Sequence, residues 1–185
     1  MKNRNKSSII FITLIVVVLL LIGGSTTILA SKRKVTAIGD SVMLGAVPNI
    51  KKTVPGCTVD AKVSRQVVKG TEIAKQLNKK GKLGNIVVIA LGTNGPFKQS
   101  AGQKLINYLG KKRTIYWMTT YGKHLKWMKS VNKVIYALAK KNKNVHVIDW
   151  AGKAASHSEW LYKDGVHLQP KGRAAYAKMI AQKIK

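Results

Sequence analysis

The sequence predicts an α/β fold in which helices cover both faces of a five-stranded parallel sheet. From residue 35 onward, short apolar runs alternate with segments of helical periodicity, which is typical of α/β domains. One run, Ile86–Ala90, is continuous and rich in β-branched residues, as expected for a strand buried on both faces. The length of 185 residues and the hydrophobic content of 45% are enough for one domain with a substantial core.

The five predicted strands are short apolar runs that end at turn or polar residues. They span Val35–Ile38, Thr58–Val63, Asn85–Leu91, Thr114–Met118 and Val145–Ile148. Crossovers between consecutive parallel strands are right-handed in nearly all proteins and are expected to be so here. The alternation of strands and helices also predicts helices on both faces of the sheet.

Apolar residues at helical spacing predict the connecting helices. These helices are Val42–Lys52 with a bend at Pro48, Val67–Lys79, Ser100–Leu109, Leu125–Lys141 and Pro170–Ile184. A long loop that begins at Asp149 is expected before the last helix.

Residues 1–30 have the pattern of an export segment. Three basic residues precede the run Ile9–Ile22, which is apolar except for one threonine, and the segment extended to Ala30 is just long enough to cross a bilayer. The residues before Ser31 form a mediocre cleavage site, so an uncleaved signal anchor is favoured over a cleaved signal peptide. Either outcome places residues 31–185, predicted as one domain, outside the cytoplasmic membrane.

The charge balance favours anionic partners. The formal net charge is +28, from 34 Lys and Arg against 6 Asp and Glu, so the chain is expected to be attracted to anionic cell-wall polymers or a membrane surface. Nucleic acid is disfavoured, because the aromatic residues do not interleave with the lysines as a stacking surface requires.

The single Cys57 excludes an internal disulfide and is interpreted as a small buried hydrophobe. The four histidines lack metal-ligand spacing, so neither a metal nor a cofactor is expected.

Polar residues follow the ends of three predicted strands and precede the last helix. Ser41 comes after the first strand in Gly-Asp-Ser, Ser64 after the second, and Asn94 after the third in Gly-Thr-Asn-Gly. Asp164 and His167 stand in the loop before the closing helix. The carboxyl ends of parallel strands lie at one edge of the sheet, so these residues are expected to converge.

These residue types suit acyl transfer. A serine hydroxyl needs a base, which His167 can provide, and Asp164 three positions earlier can hold the second ring nitrogen. Asn94 can donate its amide N–H to a developing oxyanion, together with the backbone N–H groups of Ser41 and Ser64. Each motif taken alone is more typical of an ordinary turn, helix cap or surface pair than of an active site. The four pieces in this order are much more specific than any one of them.

The combination Gly-Asp-Ser, Gly-x-Asn and Asp-x-x-His resembles the SGNH, or GDSL-type, hydrolase superfamily. The stretches Asp60–Gln66 and Asp164–Leu168 look most like the extracytoplasmic SGNH domain of peptidoglycan O-acetyltransferases. The resemblance implies a flavodoxin-like three-layer α/β/α sandwich, a Ser-His-Asp triad and no metal. It also implies that the second block offers a glycine N–H to the oxyanion, and the matching position here is Ser64, a departure from the family pattern.

Three functions of different classes remain open at this point. The first is an extracytoplasmic serine esterase or acyltransferase that cleaves or transfers O-acetyl groups on cell-envelope glycans through an acyl-enzyme. The second is a non-catalytic basic module that uses the same scaffold to bind anionic wall polymers, and extracellular nucleic-acid binding is a weaker third.

The single predicted span is too little to move an acyl donor, so transfer in the cell would need a separate membrane acyl-donor protein.

Overall fold

Five parallel strands form the sheet of the computed structural model, which describes residues 33–185. The strands are β1 Val35–Gly39, β2 Thr58–Ala61, β3 Ile86–Ala90, β4 Thr114–Met118 and β5 Val145–Ile148. They lie in the order β2-β1-β3-β4-β5, and every neighbouring pair is parallel. The prediction of a five-stranded parallel sheet is therefore confirmed.

Within this part of the chain, seven α-helices connect and flank the strands. They are α1 Ser41–Gly45, α2 Val47–Thr53, α3 Gly70–Lys79, α4 Gln99–Leu109, α5 Met128–Lys141, α6 Trp150–Ala154 and α7 Pro170–Lys183. Two short 3-10 helices, Val67–Lys69 and Ser158–Trp160, complete the regular structure.

The sheet separates two hydrophobic layers, as the alternation of side chains along a strand requires. On β3, Val88 packs in the layer that contains α1, α2, α6 and α7, whereas Val87 and Ile89 pack against α3, α4 and α5. All five residues of β3 are buried. The predicted arrangement of helices on both faces is thus present, with β3 at its centre.

The predicted helix Val42–Lys52 is two helices, α1 and α2, that meet at Ala46. Pro48 lies in the first turn of α2. A proline has no backbone N–H to donate and is tolerated in the first turn of a helix, so the chain ends one helix and begins another instead of bending.

Two other predictions about helices are wrong in detail. The helix predicted from Leu125 begins at Met128, and Leu125 lies in the preceding loop. The long loop predicted after Asp149 contains α6, because the Asp149 side chain accepts a hydrogen bond from the Gly152 N–H and caps the helix. Trp150, at the start of α6, is 2% exposed and stacks on Trp160.

Two further sequence-based predictions concern the export segment and Cys57. The export segment predicted at residues 1–30 lies outside the described residues, and none of the helices within 33–185 is long and apolar enough to cross a membrane. Cys57 is 7% exposed, which confirms its interpretation as a buried hydrophobe. Burial raises the pKa of its thiol to about 11.

Candidate active site

A tight turn between β1 and α1 places Ser41 at the carboxyl edge of the sheet. β1 ends at Gly39, where any larger side chain would overlap Met43, so glycine allows α1 to start directly after the strand. Asp40 caps α1 through a 3.0 Å hydrogen bond from the Val42 N–H to its Oδ1. Ser41 is the first residue of α1 and is partly exposed.

The loop before α7 carries Asp164 and His167 to the same edge. Gly165 adopts a φ of 68°, the left-handed conformation that glycine reaches without strain, and a side chain there would approach Lys123 Cβ to 2.7 Å. Asp164 Oδ1 accepts hydrogen bonds from the N–H groups of Val166, at 2.9 Å, and His167, at 3.0 Å. One oxygen of the carboxylate therefore fixes the loop, and the other is left for the imidazole.

The three side chains form one hydrogen-bonded chain. His167 Nδ1 lies 2.7 Å from Asp164 Oδ2, and His167 Nε2 lies 3.0 Å from Ser41 Oγ. The Asp164 and His167 side chains are about half exposed, at 48% and 49%. Such a chain can move the serine proton to the histidine while the carboxylate stabilises the imidazolium that results.

The environment of Asp164 favours its charged form. Partial burial raises the pKa of its carboxyl group, but the Val166 and His167 N–H groups and the imidazole hydrogen bond lower it further than burial raises it. The net pKa lies below the usual value of 3.8, so Asp164 is an anion at neutral pH.

Asn94, in the loop after β3, lines the same cleft as Ser41. Its Nδ2 donates a 3.3 Å hydrogen bond to the Arg65 backbone carbonyl oxygen, and the Asn94 backbone carbonyl oxygen accepts from Gln66 Nε2 at 3.1 Å. Arg65 in turn pairs with Asp60 at 2.6 Å and donates to the Gly39 carbonyl oxygen. These contacts fix the end of β1 and the loops after β2 and β3 against one another. A side-chain amide has two N–H groups, so Asn94 retains one donor for a further acceptor.

Ser64 is exposed and has a φ of 57°. It does not line the cleft that contains Ser41 and Asn94. A non-glycine residue in this left-handed region costs about 1–2 kcal/mol, and this cost is the physical reason why a glycine suits the position. The role of its N–H in an oxyanion hole stays a prediction.

Asp40 is a buried carboxylate in the turn that presents Ser41. It is 1% exposed, and burial raises its pKa above 3.8 although the Val42 N–H, the nearby Thr93 and the nearby His167 lower it. Its Oδ2 has no hydrogen-bond partner within residues 33–185. Thr93 nevertheless lies close enough to stabilise the charged carboxylate. The buried Trp150 Nε1 also has no partner in this part of the chain, and both residues line one small cavity of about 10 Å³.

Ser41, Asn94, Asp164 and His167 open onto a shared cleft of about 410 Å³. Its remaining lining comes from four residues that sequence reasoning missed: Thr93, Leu125, Trp127 and Val166. Thr93 and Val166 each adjoin a predicted site residue, which is the only sequence signal they give. The sequence predicts Leu125 as the first residue of a helix, whereas it lies in the loop before that helix and forms part of the cleft wall.

Clusters that suit a metal ion are absent from residues 33–185: no three His, Cys, Asp or Glu side chains come together there. The chemistry that this site can carry out with its own groups is proton transfer, nucleophilic attack by a hydroxyl and hydrogen bonding to an oxyanion.

Comparison with known sequences finds relatives among bacterial O-acetyltransferases. No family model matches the chain. The O-acetyltransferase OatA of Staphylococcus aureus is 37% identical over 146 residues, or 78% of this chain and 24% of the relative. The peptidoglycan O-acetyltransferase OatA of Listeria monocytogenes is 37% identical over 147 residues, or 80% of this chain and 23% of the relative. The chain thus spans about a quarter of the length of these relatives.

Comparison with solved structures finds the same kind of domain. The C-terminal catalytic domain of Streptococcus pneumoniae peptidoglycan O-acetyltransferase A superposes with a TM-score of 0.73 at 28% identity and covers 81% of this chain and 91% of that one. A carbohydrate esterase of family 3 from Talaromyces cellulolyticus shares the fold, with a TM-score of 0.67 at 18% identity over 82% of this chain and 96% of that one.

Proposed function

Because residues 33–185 form an SGNH hydrolase-type domain, we propose that the chain is a serine esterase or O-acetyltransferase that cleaves or transfers O-acetyl groups on cell-wall peptidoglycan. The observation that carries the proposal is the hydrogen-bonded chain from Ser41 through His167 to Asp164, at 3.0 Å and 2.7 Å. The relatives whose names include peptidoglycan O-acetyltransferase support the choice of substrate.

In the proposed mechanism, Ser41 attacks the carbonyl carbon of an acetyl ester. His167 Nε2 accepts the hydroxyl proton as the new C–O bond forms, and Asp164 stabilises the imidazolium through Nδ1. His167 then donates that proton to the departing alkoxide, which leaves as the sugar hydroxyl. The product of this half-reaction is an acetyl ester on Ser41.

The negative charge of the tetrahedral intermediate develops on the former carbonyl oxygen. We assign Asn94, which lines the cleft, as the side-chain donor to this oxygen. One N–H of its amide is bonded to the Arg65 carbonyl oxygen, which holds the amide in place, and the second N–H is available for the oxyanion. The backbone N–H groups of Ser41 and Ser64 are the proposed additional donors.

The acyl-enzyme is resolved either by water, which gives an esterase, or by a sugar hydroxyl, which gives a transferase. His167 activates either acceptor by the same proton transfer, so the three residues do not select between them. The half-exposed Asp164 and His167 side chains leave the cleft accessible to water. We therefore propose that the chain alone hydrolyses small acetyl esters, and that transfer in the cell uses a donor presented by a separate membrane protein.

A second proposal is that the chain acts outside the cytoplasmic membrane and binds anionic wall polymers. The formal net charge of +28 supports it, because attraction of this size concentrates a cationic protein on a polyanion. A purely non-catalytic binding module would show this attraction, weakened by salt, without any ester turnover.

The test of the proposed function uses the purified chain, an activated acetyl ester and a glycan acceptor. Acetate and acetylated glycan are measured together over time by chromatography. We expect the wild type to release more acetate than acetylated glycan, and Ser41→Ala to form neither product. Turnover that Ser41→Ala leaves intact would refute the proposal, and acetylated glycan in excess of acetate would replace the hydrolase preference with transfer.

A further inference from the structure

A second cleft lies on the other side of the loop that carries Asp164 and His167. We call it the lysine cleft; it has a volume of about 240 Å³. Its polar lining side chains are Tyr121, Lys123, Ser158, Tyr162, Lys163 and Gln169. All of these residues except Tyr121 and Gln169 are exposed, so an extended ligand can reach the cleft from solvent.

The segment 163–167 is the wall between the two clefts. Asp164, Val166 and His167 line the cleft of Ser41, whereas Lys163 and Gly165 line the lysine cleft. The wall is fixed by a 2.8 Å hydrogen bond from the Tyr162 N–H to the His167 carbonyl and a 3.0 Å one from the Lys123 N–H to the Gly165 carbonyl. A polymer that crosses this wall therefore contacts both clefts at once.

The lysine cleft presents two exposed ammonium groups, those of Lys123 and Lys163. Within residues 33–185, neither Lys123 nor Lys163 forms an ion pair. Glu159 and Asp164, the carboxylates closest in sequence to the cleft residues, hydrogen-bond to histidines instead of to these lysines: Glu159 to His157 at 2.9 Å and Asp164 to His167 at 2.7 Å. Two ammonium groups beside a serine hydroxyl and a glutamine amide form a donor-rich surface that favours an anionic oxygen group.

We propose that the lysine cleft binds a carboxylate of the glycan substrate one or more sugars away from the acetyl ester held at Ser41. The proposal rests on the proposed function and names a feature of its substrate. Peptidoglycan carries carboxylates in two places, on the lactyl group of muramic acid when that group is free and on the stem peptide. Both offer the same chemistry to Lys123 and Lys163, and the cleft then sets which sugar of the polymer reaches the nucleophile.

The test measures the affinity of the full chain for three glycans of equal length by calorimetry. One is a neutral N-acetylglucosamine oligomer, one contains muramic acid with free lactyl carboxylates, and one carries stem peptides, so that its lactyl groups are amides. The double variant Lys123→Gln/Lys163→Gln removes both charges. The matched control is Lys80→Gln/Lys112→Gln, two exposed lysines that precede β3 and β4 at the opposite edge of the sheet.

We expect the Lys123/Lys163 variant to bind a carboxylate-bearing glycan about three- to tenfold more weakly than wild type, the loss of two partly exposed ion pairs. Its affinity for the neutral oligomer and its turnover of a small acetyl ester should not change. The glycan that shows the loss identifies the lactyl or the peptide carboxylate as the ligand.

Three results would overturn the proposal: no binding of either carboxylate glycan by the wild type, an equal loss for the neutral oligomer, or an equal loss in the control pair. Failure of the proposed function is a separate outcome. A wild-type chain without ester turnover would refute the esterase assignment and leave the affinity comparison as the test of the cleft.

Discussion

The imidazole Nε2 of His167 lies 3.0 Å from the hydroxyl of Ser41, although 126 positions separate the two residues in the chain. Two independent local structures produce this contact. A strand-to-helix turn presents the serine, and a loop folded around the Asp164 carboxylate presents the histidine. The predictions below follow from this contact and from the groups that surround it.

Ser41→Ala, His167→Ala and the double variant should lose similar amounts of activity, because the two residues act in one proton-transfer step. Steady-state hydrolysis of an activated acetyl ester measures each loss, and circular dichroism verifies that each variant is folded. Losses that multiply in the double variant would mean that the residues act independently, contrary to the 3.0 Å contact.

Asp164→Asn should keep the fold and lower kcat on the order of 10⁴-fold, the effect seen when the carboxylate of a well-studied triad becomes an amide. The oxygen of the substituted side chain can still accept the two backbone hydrogen bonds, but its NH₂ group would face Nδ1 as a donor and impose the wrong tautomer on His167. The measurement is kcat together with the melting temperature. A variant with near wild-type kcat would remove Asp164 from the mechanism.

Asn94→Ala should lower kcat by about 10²–10³ and leave KM almost unchanged, as expected for one lost oxyanion donor. The control is Gln66→Ala, which removes the neighbouring hydrogen bond to the Asn94 carbonyl without removing the Asn94 amide. A change confined to KM would mean that Asn94 only positions the substrate.

Asp40→Asn should change how stability depends on pH. The folded-state pKa of Asp40 is raised above 3.8, so the buried charge opposes folding above that raised pKa, and protonation relieves the cost as the pH falls towards 3.8. The stability of the wild type relative to Asp40→Asn should therefore increase as the pH is lowered through this window. Urea unfolding of both proteins at several pH values measures the difference. A relative stability that instead falls on acidification would show that the folded protein favours the charged form.

The sequence was sufficient for the sheet and for the residues at its edge because both depend on local patterns. The continuous run Ile86–Ala90 can be buried on both faces only as a central strand, and β3 is central. Ser41, Asn94 and the Asp164–His167 loop each follow or precede such an element. Parallel pairing then brings them to one edge without any further information.

The cleft wall could not be predicted because it depends on tertiary contacts. Leu125 continues the apolar stripe of α5 in sequence, yet the helix starts at Met128 and Leu125 packs over Gly122 beside Val166. The five-residue helix α6 is too short for a periodic pattern, and only its capping residue Asp149 signals it. That Lys123 forms no ion pair within residues 33–185 depends on the tertiary positions of the carboxylates, and spacing along the chain does not encode these.

Covalent labelling of the full chain with a fluorophosphonate tests most directly whether Ser41 is an activated nucleophile. Intact-mass spectrometry measures the adduct and its rate of formation in the wild type, Ser41→Ala and His167→Ala, and Ser100→Ala serves as a control that removes an exposed serine in α4. We predict one adduct per chain in the wild type and in Ser100→Ala, none in Ser41→Ala, and a greatly slowed reaction in His167→Ala. An unlabelled wild type, or labelling that persists in Ser41→Ala, would contradict the account.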